Sequence, residues 1–384
     1  MRRNMHIYPS DFQYESRIFK ITQSLLDQNL VDDILLVGIG DGTLPEEEAL
    51  GVSRRIKRIP LTDYPVIRHK KLRRVLHYLE WIGKASVYGY RQQITIVNCH
   101  SLFDLPVGIV LKILRKCLVI YDTHELETER NGLKKGLVKT VAKTLEKVAI
   151  RYVDHVFVVS DSIAAWYRHT YHLDCVTVVK NVPYGHVAEN RETHKGFREQ
   201  FAIPPDHLIF VYQGALFHGR GIPLLLSVFS RLQPHKHVVF MGYGILEDTI
   251  REYEQQYPHI HFCPAVPPDR VMEYTASADV GLSLIENTCL SYYYCLPNKL
   301  FEYIINGIPC IVSNFPDMRA VIEHYHCGWI TEVNAQDIYN LIDGLTVPHI
   351  REIQDTTAAI RDQFGWHLEE RHLLAAYTSL LSRS

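Results

Sequence analysis

The chain has 384 residues, more than one hydrophobic core usually supports, so two domains are expected. Hydrophobic residues make up 47% and charged residues 22%, which is the composition of a soluble globular protein and not of a disordered one. The formal net charge of −2 excludes a general electrostatic attraction to nucleic acid, so no nucleic-acid partner is expected.

Short apolar runs alternate with longer amphipathic segments along the first half of the chain. This alternation is typical of βαβ units, in which helices connect parallel strands. The predicted strands are residues 5–8, 34–37, 94–97, 118–121, 155–159 and 176–179. The predicted helices include residues 14–28, 137–151 and 162–171. We therefore predict a Rossmann-like domain over residues 1–182, with the carboxyl ends of its strands at one edge.

Residues 183–195 are rich in proline, glycine and charge and are interpreted as a linker. The alternation then resumes, and a last amphipathic helix is predicted over residues 366–381. The predicted strands of this half are residues 209–212, 238–241, 261–262, 280–284 and 310–312. The predicted fold class is thus α/β, with a second Rossmann-like domain over residues 183–365 and the two doubly wound domains facing across a cleft.

The sequence PNKLFEY at residues 297–303, followed by GIP at 307–309, is the strongest local motif. It predicts a helix that begins near Pro297, a glycine stop and a buried strand. Free N–H groups at a helix start suit a phosphate oxygen, and Lys299 adds a cation there. Glu302, one turn later, is placed to accept hydrogen bonds from ribose hydroxyls. The alternative is a helix with a solvated pair of Lys299 and Glu302.

Two further loops follow predicted strands in this half. The loop at 214–221 places Arg220 at a strand edge, where a guanidinium can bind a diphosphate. The glycine loop at 242–244 ends the next strand, and a ligand can approach backbone closely there.

In their order along the chain, these motifs resemble those of the GT-B glycosyltransferases of the retaining family 4, also called glycosyl transferases group 1. The second half contributes the segments 214–221, 242–244, 278–280, 297–303 and 307–309. The first half contributes Arg17, His100 and the segments 122–126 and 180–183. The resemblance extends over nearly the whole chain, and it implies that a carboxy-terminal helix, residues 366–384, returns to the first domain.

The resemblance also implies roles for individual residues. Arg220 and Lys299 would stabilise the donor diphosphate, and Glu302 would hold the ribose hydroxyls. His100 matches the histidine that reaches the donor sugar, so the expected catalytic residues are His100, Arg220 and Lys299. The expected donor-binding residues are Gly214, Arg220, Gly242, Tyr243, Val266, Leu296, Asn298, Lys299 and Glu302.

Three residues of the first half are candidates for the acceptor side. His124 and Glu125 follow a predicted strand, and His124 is also a second candidate for the donor-sugar histidine. Asp11 follows the first strand, where a turn residue or a helix cap is an equal alternative. The chain departs from the family at Tyr294, where a first glutamate is common, and at Ala215, where an arginine is common, so the identity of the sugar stays open.

No cofactor and no metal are expected. The segment 38–42 follows the second strand, and Thr43 stands where a dinucleotide fingerprint requires its third glycine, which argues against NAD. No convincing DxD metal signature is present, and Arg220 and Lys299 would supply the positive charge. The expected donor is a nucleotide sugar, with a UDP-sugar favoured over a GDP-sugar.

The region from Arg54 to Arg91 is strongly basic and includes a predicted amphipathic helix at 68–83. One interpretation is a solvated helix face over a packed core. The other is peripheral contact with anionic membrane, which would bring a lipid-linked acceptor to the site. The eight cysteines form no CxxC pair and the amino terminus has no long apolar segment. We therefore expect a cytoplasmic protein, with the inner face of the cytoplasmic membrane as a second expectation.

The sequence thus predicts a retaining, metal-independent hexosyltransferase that acts on a glycan or lipid-linked glycan, in bacterial surface polysaccharide or lipopolysaccharide biosynthesis. Two alternatives stay open. One is a scaffold subunit that binds a sugar nucleotide and has lost catalysis, which Tyr294 favours. The other is a sugar-nucleotide epimerase of the same fold.

Overall fold

A computed structural model describes residues 1–65, 67–133, 136–185 and 196–382. The strands within these ranges are β1 (Arg3–Ile7), β2 (Asp33–Gly40), β3 (Glu47–Ala49), β4 (Arg54–Pro60), β5 (Ile96–Cys99), β6 (Leu118–Asp122), β7 (His155–Val158), β8 (Val176–Val178), β9 (Leu208–Ala215), β10 (Lys236–Tyr243), β11 (Ile260–Pro264), β12 (Val280–Ser283), β13 (Cys310–Ser313) and β14 (Gly328–Thr331). Residues 186–195 of the expected linker lie outside the described residues.

The helices connect these strands and cover the faces of the sheets. They are α1 (Ser16–Asp27), α2 (Lys70–Arg91), α3 (Leu105–Arg115), α4 (Leu137–Ala149), α5 (Asp161–Tyr171), α6 (Gly196–Gln200), α7 (Ile222–Phe229), α8 (Glu247–Gln256), α9 (Val271–Thr275), α10 (Leu290–Tyr293), α11 (Asn298–Ile305), α12 (Pro316–Tyr325), α13 (Ala335–Gly344), α14 (Val347–Ile360) and α15 (Trp366–Leu381). Short 3-10 turns add Leu102–Asp104 and Glu127–Glu129.

The chain divides into two compact units, Met1–Lys180 with Glu370–Ser384, and Asn181–Glu369. In the first unit the described strands form one sheet in the order β3-β4-β2-β1-β5-β6-β7-β8. All neighbours are parallel except β3 and β4. The strand order reverses between β1 and β5, and such a reversal is where doubly wound sheets bind ligands.

The described strands of the second unit form a parallel sheet in the order β11-β10-β9-β12-β13-β14. Relabelled in chain order, this is the 3-2-1-4-5-6 order of dinucleotide-binding folds. Strands β9, β10 and β12 are almost wholly buried, as expected for parallel strands covered on both faces. Two Rossmann-like domains are therefore confirmed, and the ligand edge of the second unit lies at the carboxyl ends of β9, β10 and β11.

The carboxy-terminal helix α15 packs within the first unit over its last three turns. The ring of Tyr377 stacks on Phe157 of β7 at 5.9 Å between centroids, and Glu370 accepts a hydrogen bond from Ser24 of α1 at 2.7 Å. The segment after Glu369 therefore completes the sheet domain that the first 180 residues begin.

Sequence patterns did not predict β3, β4 or β14. Strand β4 has the sequence RRIKRIP, and four cations in seven residues are typical of a solvent-exposed segment. The fold instead buries Arg58 to 2% exposure, because its guanidinium donates to the carbonyl groups of Asp11 and Pro45 and to the carboxylate of Glu48. Strand β14 is a four-residue edge strand, too short for a period to be visible.

Helix α2 is longer than predicted, and its predicted apolar face is not the face that packs on the sheet. Trp81, Ala85 and Gly89 are buried. In contrast, Leu72 and Leu79 expose 50% and 58% of their surface. The expectation that the apolar side chains of this helix cover a core is therefore wrong for its first turns.

All eight cysteines carry free thiols. Among the described helices, none combines the length and the apolar composition that a membrane-spanning segment requires.

Candidate functional site

A cavity of about 470 Å³ opens at the carboxyl edge of the second sheet. Its floor is formed where β9 and β10 end, and the start of α11 forms one wall. The residues that line it are Tyr212, Gln213, Gly214, Ala215, Arg220, Met241, Gly242, Tyr243, Ala265, Val266, Val271, Pro297, Asn298, Lys299 and Glu302. This is the position at which an open parallel sheet binds its ligand.

Two glycines allow the backbone to form the floor of this cavity. A Cβ atom on Gly242 would lie 1.9 Å from the carbonyl oxygen of Gly214, so a larger residue cannot occupy this position. Gly214 itself has φ of +116°, a conformation that favours glycine. The two neighbouring strand ends therefore approach each other as closely as their backbones permit.

Lys299 is the second residue of α11, a helix whose start has no side-chain cap. Its Nζ lies 3.6 Å from the centroid of the Tyr212 ring. Burial, with the nearby Arg220 guanidinium, lowers the pKa of Lys299 to about 7. The energetic cost of this buried cation is relieved when an anion enters, because opposite charge favours the protonated amine.

Arg220 lies in the loop between β9 and α7, and its guanidinium carbon lies 4.6 Å from the centroid of the Tyr292 ring. The loop is fixed by the Glu286 carboxylate, which accepts a hydrogen bond from the backbone N–H of Gly221 at 3.2 Å. Arg220 and Lys299 thus present two cations to one cavity, both resting on aromatic rings.

Glu302 lies one turn after Lys299 on α11 and is held by a residue that the sequence did not suggest. Gln213 donates from Nε2 to a carboxylate oxygen of Glu302. The other end of the Gln213 amide accepts a hydrogen bond from Thr275 at 2.5 Å. Because a carboxylate only accepts, the amino end of the amide faces Glu302 and its oxygen faces Thr275, and Gln213 orients the carboxylate within the cavity.

The structure therefore brings together eight of the nine expected donor-binding residues. The ninth is Leu296, which was expected to contribute its backbone amide; its side chain is 6% exposed and packs in the hydrophobic core of the second unit. Gln213 and Tyr212 were missed. The available signal was a polar side chain at the end of the apolar strand sequence FVYQG.

The polar residues of the first unit form a different kind of cluster, around Asp122 at the end of β6. Arg17 donates from Nη2 to Asp122 Oδ1 at 2.7 Å and from Nε to Oδ2 at 3.1 Å. His100 Nδ1 lies 3.1 Å from Asp122 Oδ2, and His124 Nε2 lies 3.6 Å from the same oxygen. Although burial opposes its ionisation, Arg17 and the two histidines hold the pKa of Asp122 well below its usual range.

The two expected histidines differ in exposure. The side chain of His100 is fully buried, and burial lowers its pKa to about 4. The side chain of His124 is 26% exposed. His124 is therefore the member of this cluster that faces solvent, and His100 lies beneath it.

The other two acceptor-side candidates are engaged locally. Asp11 accepts hydrogen bonds from the backbone and the side chain of Gln13 at 3.1 and 2.9 Å, which caps its own turn. Glu125 lies 3.7 Å from Arg130.

Within the described ranges, one group of side chains has the spacing of metal ligands: His100, Asp122 and His124. Arg17 contacts both oxygens of Asp122, so its guanidinium already supplies the positive charge that a metal ion would bring. This donor set therefore fits a hydrogen-bonded network better than a metal centre.

Two family models match the chain. The model described as "Glycosyl transferases group 1" matches residues 194–346, and the model described as "Glycosyltransferase Family 4" matches residues 32–182. The putative teichuronic acid biosynthesis glycosyltransferase TuaC of Bacillus subtilis (strain 168) is 27% identical over 138 residues, which are 36% of this chain and 33% of that protein. The aligned part thus spans about one third of the length of this relative.

Solved structures of the same fold extend over the whole chain. Sucrose-phosphate synthase from Thermosynechococcus elongatus has a TM-score of 0.81 at 15% identity, covering 100% of both chains. Anabaena Alr3699/HepE in complex with UDP has a TM-score of 0.72 at 13% identity, covering 99% of this chain and 100% of that one. The matched ranges, the two Rossmann-like units and the donor-type cavity agree, and the chain is a GT-B glycosyltransferase of the glycosyl transferases group 1, family 4-like.

Proposed function

We propose that the protein transfers a sugar from a nucleoside diphosphate sugar to a glycan or lipid-linked glycan, with retention of anomeric configuration and without a metal ion. The observation that carries this proposal is the convergence of Arg220, Lys299 and Glu302 on one cavity. Two cations and an uncapped helix start suit a diphosphate, and a carboxylate one turn away suits ribose hydroxyls. The UDP complex of the Anabaena structure supports UDP as the nucleotide.

In the proposed reaction the bond between the anomeric carbon and the diphosphate oxygen breaks, and the acceptor oxygen forms a new bond to that carbon on the same face. The acceptor hydroxyl gives its proton to the departing diphosphate oxygen. Arg220, Lys299 and the N–H groups at the start of α11 stabilise the negative charge that develops there. No side chain is needed as a separate base.

We assign the sugar-facing histidine role to His124, with His100 behind it. This assignment rests on exposure, because a fully buried His100 side chain cannot contact a substrate, whereas His124 reaches the surface of its unit. His124→Asn should therefore reduce turnover more than it reduces nucleotide binding.

Binding and turnover test the proposal separately. We would measure thermal stabilisation by UDP, GDP, ADP and CMP and by their sugar conjugates, with and without EDTA. A ligand at 100 times its dissociation constant should raise the free energy of unfolding by about 2.7 kcal/mol. Stabilisation by UDP that EDTA does not change supports the metal-free proposal, and a requirement for a divalent ion contradicts it.

The decayed scaffold and the epimerase give different results in the same samples. A scaffold would be stabilised by nucleotide but would not release free UDP from a UDP-sugar. An epimerase would convert the sugar conjugate without an acceptor. Release of UDP that depends on added glycan or lipid-linked glycan is expected for the transferase.

We also propose that the acceptor is reached at an anionic membrane surface, in surface polysaccharide biosynthesis at the inner face of the cytoplasmic membrane. The structure divides the basic region in two. The cations of β4 are engaged within the protein, since Lys57 pairs with Glu46 and Arg58 with Glu48. The exposed part is the first half of α2, where Lys70, Lys71 and Arg74 flank the apolar stripe formed by Leu72, Val75 and Leu79.

Flotation with vesicles containing phosphatidylglycerol tests this contact. Binding should weaken at high salt, and replacement of Leu72, Val75 and Leu79 by glutamine should abolish it. Ile245→Gln, at a 65% exposed residue of the second unit, is the matched control and should bind like the wild type. The absence of vesicle binding at any salt concentration would contradict the proposal.

A further inference from the structure

A continuous series of side-chain hydrogen bonds crosses the first unit beneath His124. It connects a tyrosine of α15 to the carboxylate at the end of β6 through residues of β5 and β1. The contacts are Tyr377 Oη to Asn98 Oδ1 at 2.6 Å, Asn98 Nδ2 to His6 Nε2 at 3.3 Å, His6 Nδ1 to His100 Nε2 at 2.9 Å and His100 Nδ1 to Asp122 Oδ2 at 3.1 Å. All five side chains are buried.

The direction of each hydrogen bond is set from the carboxylate end of the series. Asp122 is an ionised carboxylate and can only accept, so His100 carries its proton on Nδ1 and donates to Oδ2. A neutral His100 then accepts at Nε2, and His6 donates to it from Nδ1. His6 Nε2 accepts in turn from the amino group of Asn98, whose oxygen faces the Tyr377 hydroxyl.

The opposite tautomer of His100 would be costly in this place. With the proton on Nε2, two donors would meet between His6 and His100. At the same time a ring lone pair would face the Asp122 carboxylate at 3.1 Å. Both groups are buried, so no solvent compensates for either contact.

The orientation of Asp122 matters because the same oxygen, Oδ2, is the one that faces His124. His124 Nε2 lies 3.3 Å from His100 Nδ1 and 3.6 Å from Asp122 Oδ2. Arg17 holds the carboxylate from one side and His100 holds it from the other. The groups that face the ring of His124 are therefore oriented by buried side chains of the core.

We infer that His6 is a positioning residue of the transferase: its hydrogen bond to Nε2 holds the ring of the Nδ1–H tautomer of His100 in place and thereby aligns Asp122 and His124. This inference rests on the proposed function for its effect on turnover, although the tautomer of His100 is a property of the protein alone. His6 touches neither substrate nor His124, and it acts through His100. Asn98 and Tyr377 orient His6 in turn, which gives the carboxy-terminal helix a part in the arrangement.

The tautomer can be observed directly in the full-length protein. We would label histidine rings with nitrogen-15, remove metal with EDTA and record long-range proton–nitrogen correlation spectra. The signals of His100 would be assigned by their loss in His100→Gln. We expect a protonated Nδ1 and an unprotonated Nε2 at neutral pH. The reverse pattern would overturn the inference, and so would an Nδ1 that loses its proton when Zn²⁺ is added, because the trio would then be a metal site.

Two substitutions of His6 connect its hydrogen bond to turnover. His6→Leu removes the donor to His100 Nε2, while Asp122 still keeps the His100 proton on Nδ1. The His100 ring is then held less firmly, and kcat should fall by about tenfold to a hundredfold through misalignment of His124. The KM for the donor should stay unchanged, because the donor cavity belongs to the other unit. His6→Asn keeps an amino donor near the position of Nδ1 and should restore most of kcat.

The outcomes separate this inference from the proposed function. An unchanged kcat in a folded His6→Leu would overturn the positioning role. If His6→Leu does not fold, His6→Asn still decides, since loss of its kcat together with a retained Nδ1–H tautomer would also overturn it. A wild-type protein that releases no nucleotide from any sugar conjugate would contradict the proposed function, whereas the spectrum of His100 would be unaffected.

Discussion

The polar clusters of the two units lie in opposite electrostatic environments, one buried and neutralised and the other open and positively charged. In the first unit, Asp122 lies in the core with Arg17, and the two side chains satisfy each other almost out of contact with solvent. In the second unit, Arg220 and Lys299 lie in an open cavity and rest on aromatic rings. A buried cluster whose charges neutralise each other contributes to the stability of the fold. A cavity that holds two neighbouring cations instead favours the binding of an anion. Substitution of the buried Arg17–Asp122 pair should therefore affect mainly stability, whereas substitutions of the cavity cations should affect mainly ligand binding and turnover.

The largest effect is expected from Arg17→Met. This substitution leaves the Asp122 carboxylate buried without its cation, which should lower the free energy of unfolding by about 3–5 kcal/mol. Chemical denaturation of both variants measures the difference. Arg55→Met is the control, because Arg55 is 41% exposed and lies 3.5 Å from Asp33, so its loss should cost no more than about 1 kcal/mol. Equal effects in the two variants would contradict the supporting role of the buried pair.

Arg220→Ala should have the next largest effect, on turnover and not on stability. Removal of one group that stabilises developing charge typically lowers kcat by about 10²–10³-fold. Arg231 offers a matched control, since its guanidinium carbon also lies 4.6 Å from a tyrosine ring, that of Tyr339, outside the cavity. Arg231→Ala should leave kcat unchanged. A large drop in melting temperature for Arg220→Ala would instead indicate a structural arginine.

Glu302→Gln should weaken nucleotide binding by about tenfold to a hundredfold, the usual value of a hydrogen bond to a charged group. Titration calorimetry with UDP measures this change. Glu252→Gln, at an exposed residue of α8, is the control and should bind as the wild type does. Unchanged affinity in Glu302→Gln would mean that this carboxylate does not contact the ribose.

The smallest effect concerns pH. The pKa of Lys299 is about 7 in the unliganded protein, and a bound diphosphate raises it by favouring the charged amine. Affinity for UDP should therefore be full below pH 7 and should fall as pH rises above 7, by at most about tenfold per unit. Lys299→Arg stays charged over this range and should show a flat profile between pH 7 and 9. A falling profile in this variant would assign the pH dependence to another group.

The cavity of the second unit was largely predictable because its main motif is local. Residues 297–303 contain the proline, the cation and the carboxylate within two turns, and the helix that they form runs over Asn298–Ile305. The loop residues Gly214 and Gly242 were also predictable, since glycine at the end of a buried strand has few other reasons to occur there. Gln213 was missed because its role depends on Thr275, which is 62 residues away in the chain.

The first unit was harder to predict because its important contacts join distant segments. His100 follows a strand as the family pattern requires, yet its burial depends on His6, which is 94 residues away, and on Asp122 of a third strand. The same limit applies to α2. Its period predicts an apolar face, but a period alone does not say which face meets the sheet.

The sequence by itself determined the two Rossmann-like domains, the glycosyltransferase family and most of the residues that line the cavity of the second unit. These features depend on strand and helix periods and on motifs that lie within a few residues of one another. Only the tertiary structure decided that Arg58 is buried, that the first turns of α2 expose their apolar side chains, and that His124 lies above a buried His100. Each of these depends on which side chains from other strands reach the same place, and their hydrogen bonds and charges are set by neighbours that are distant in the chain.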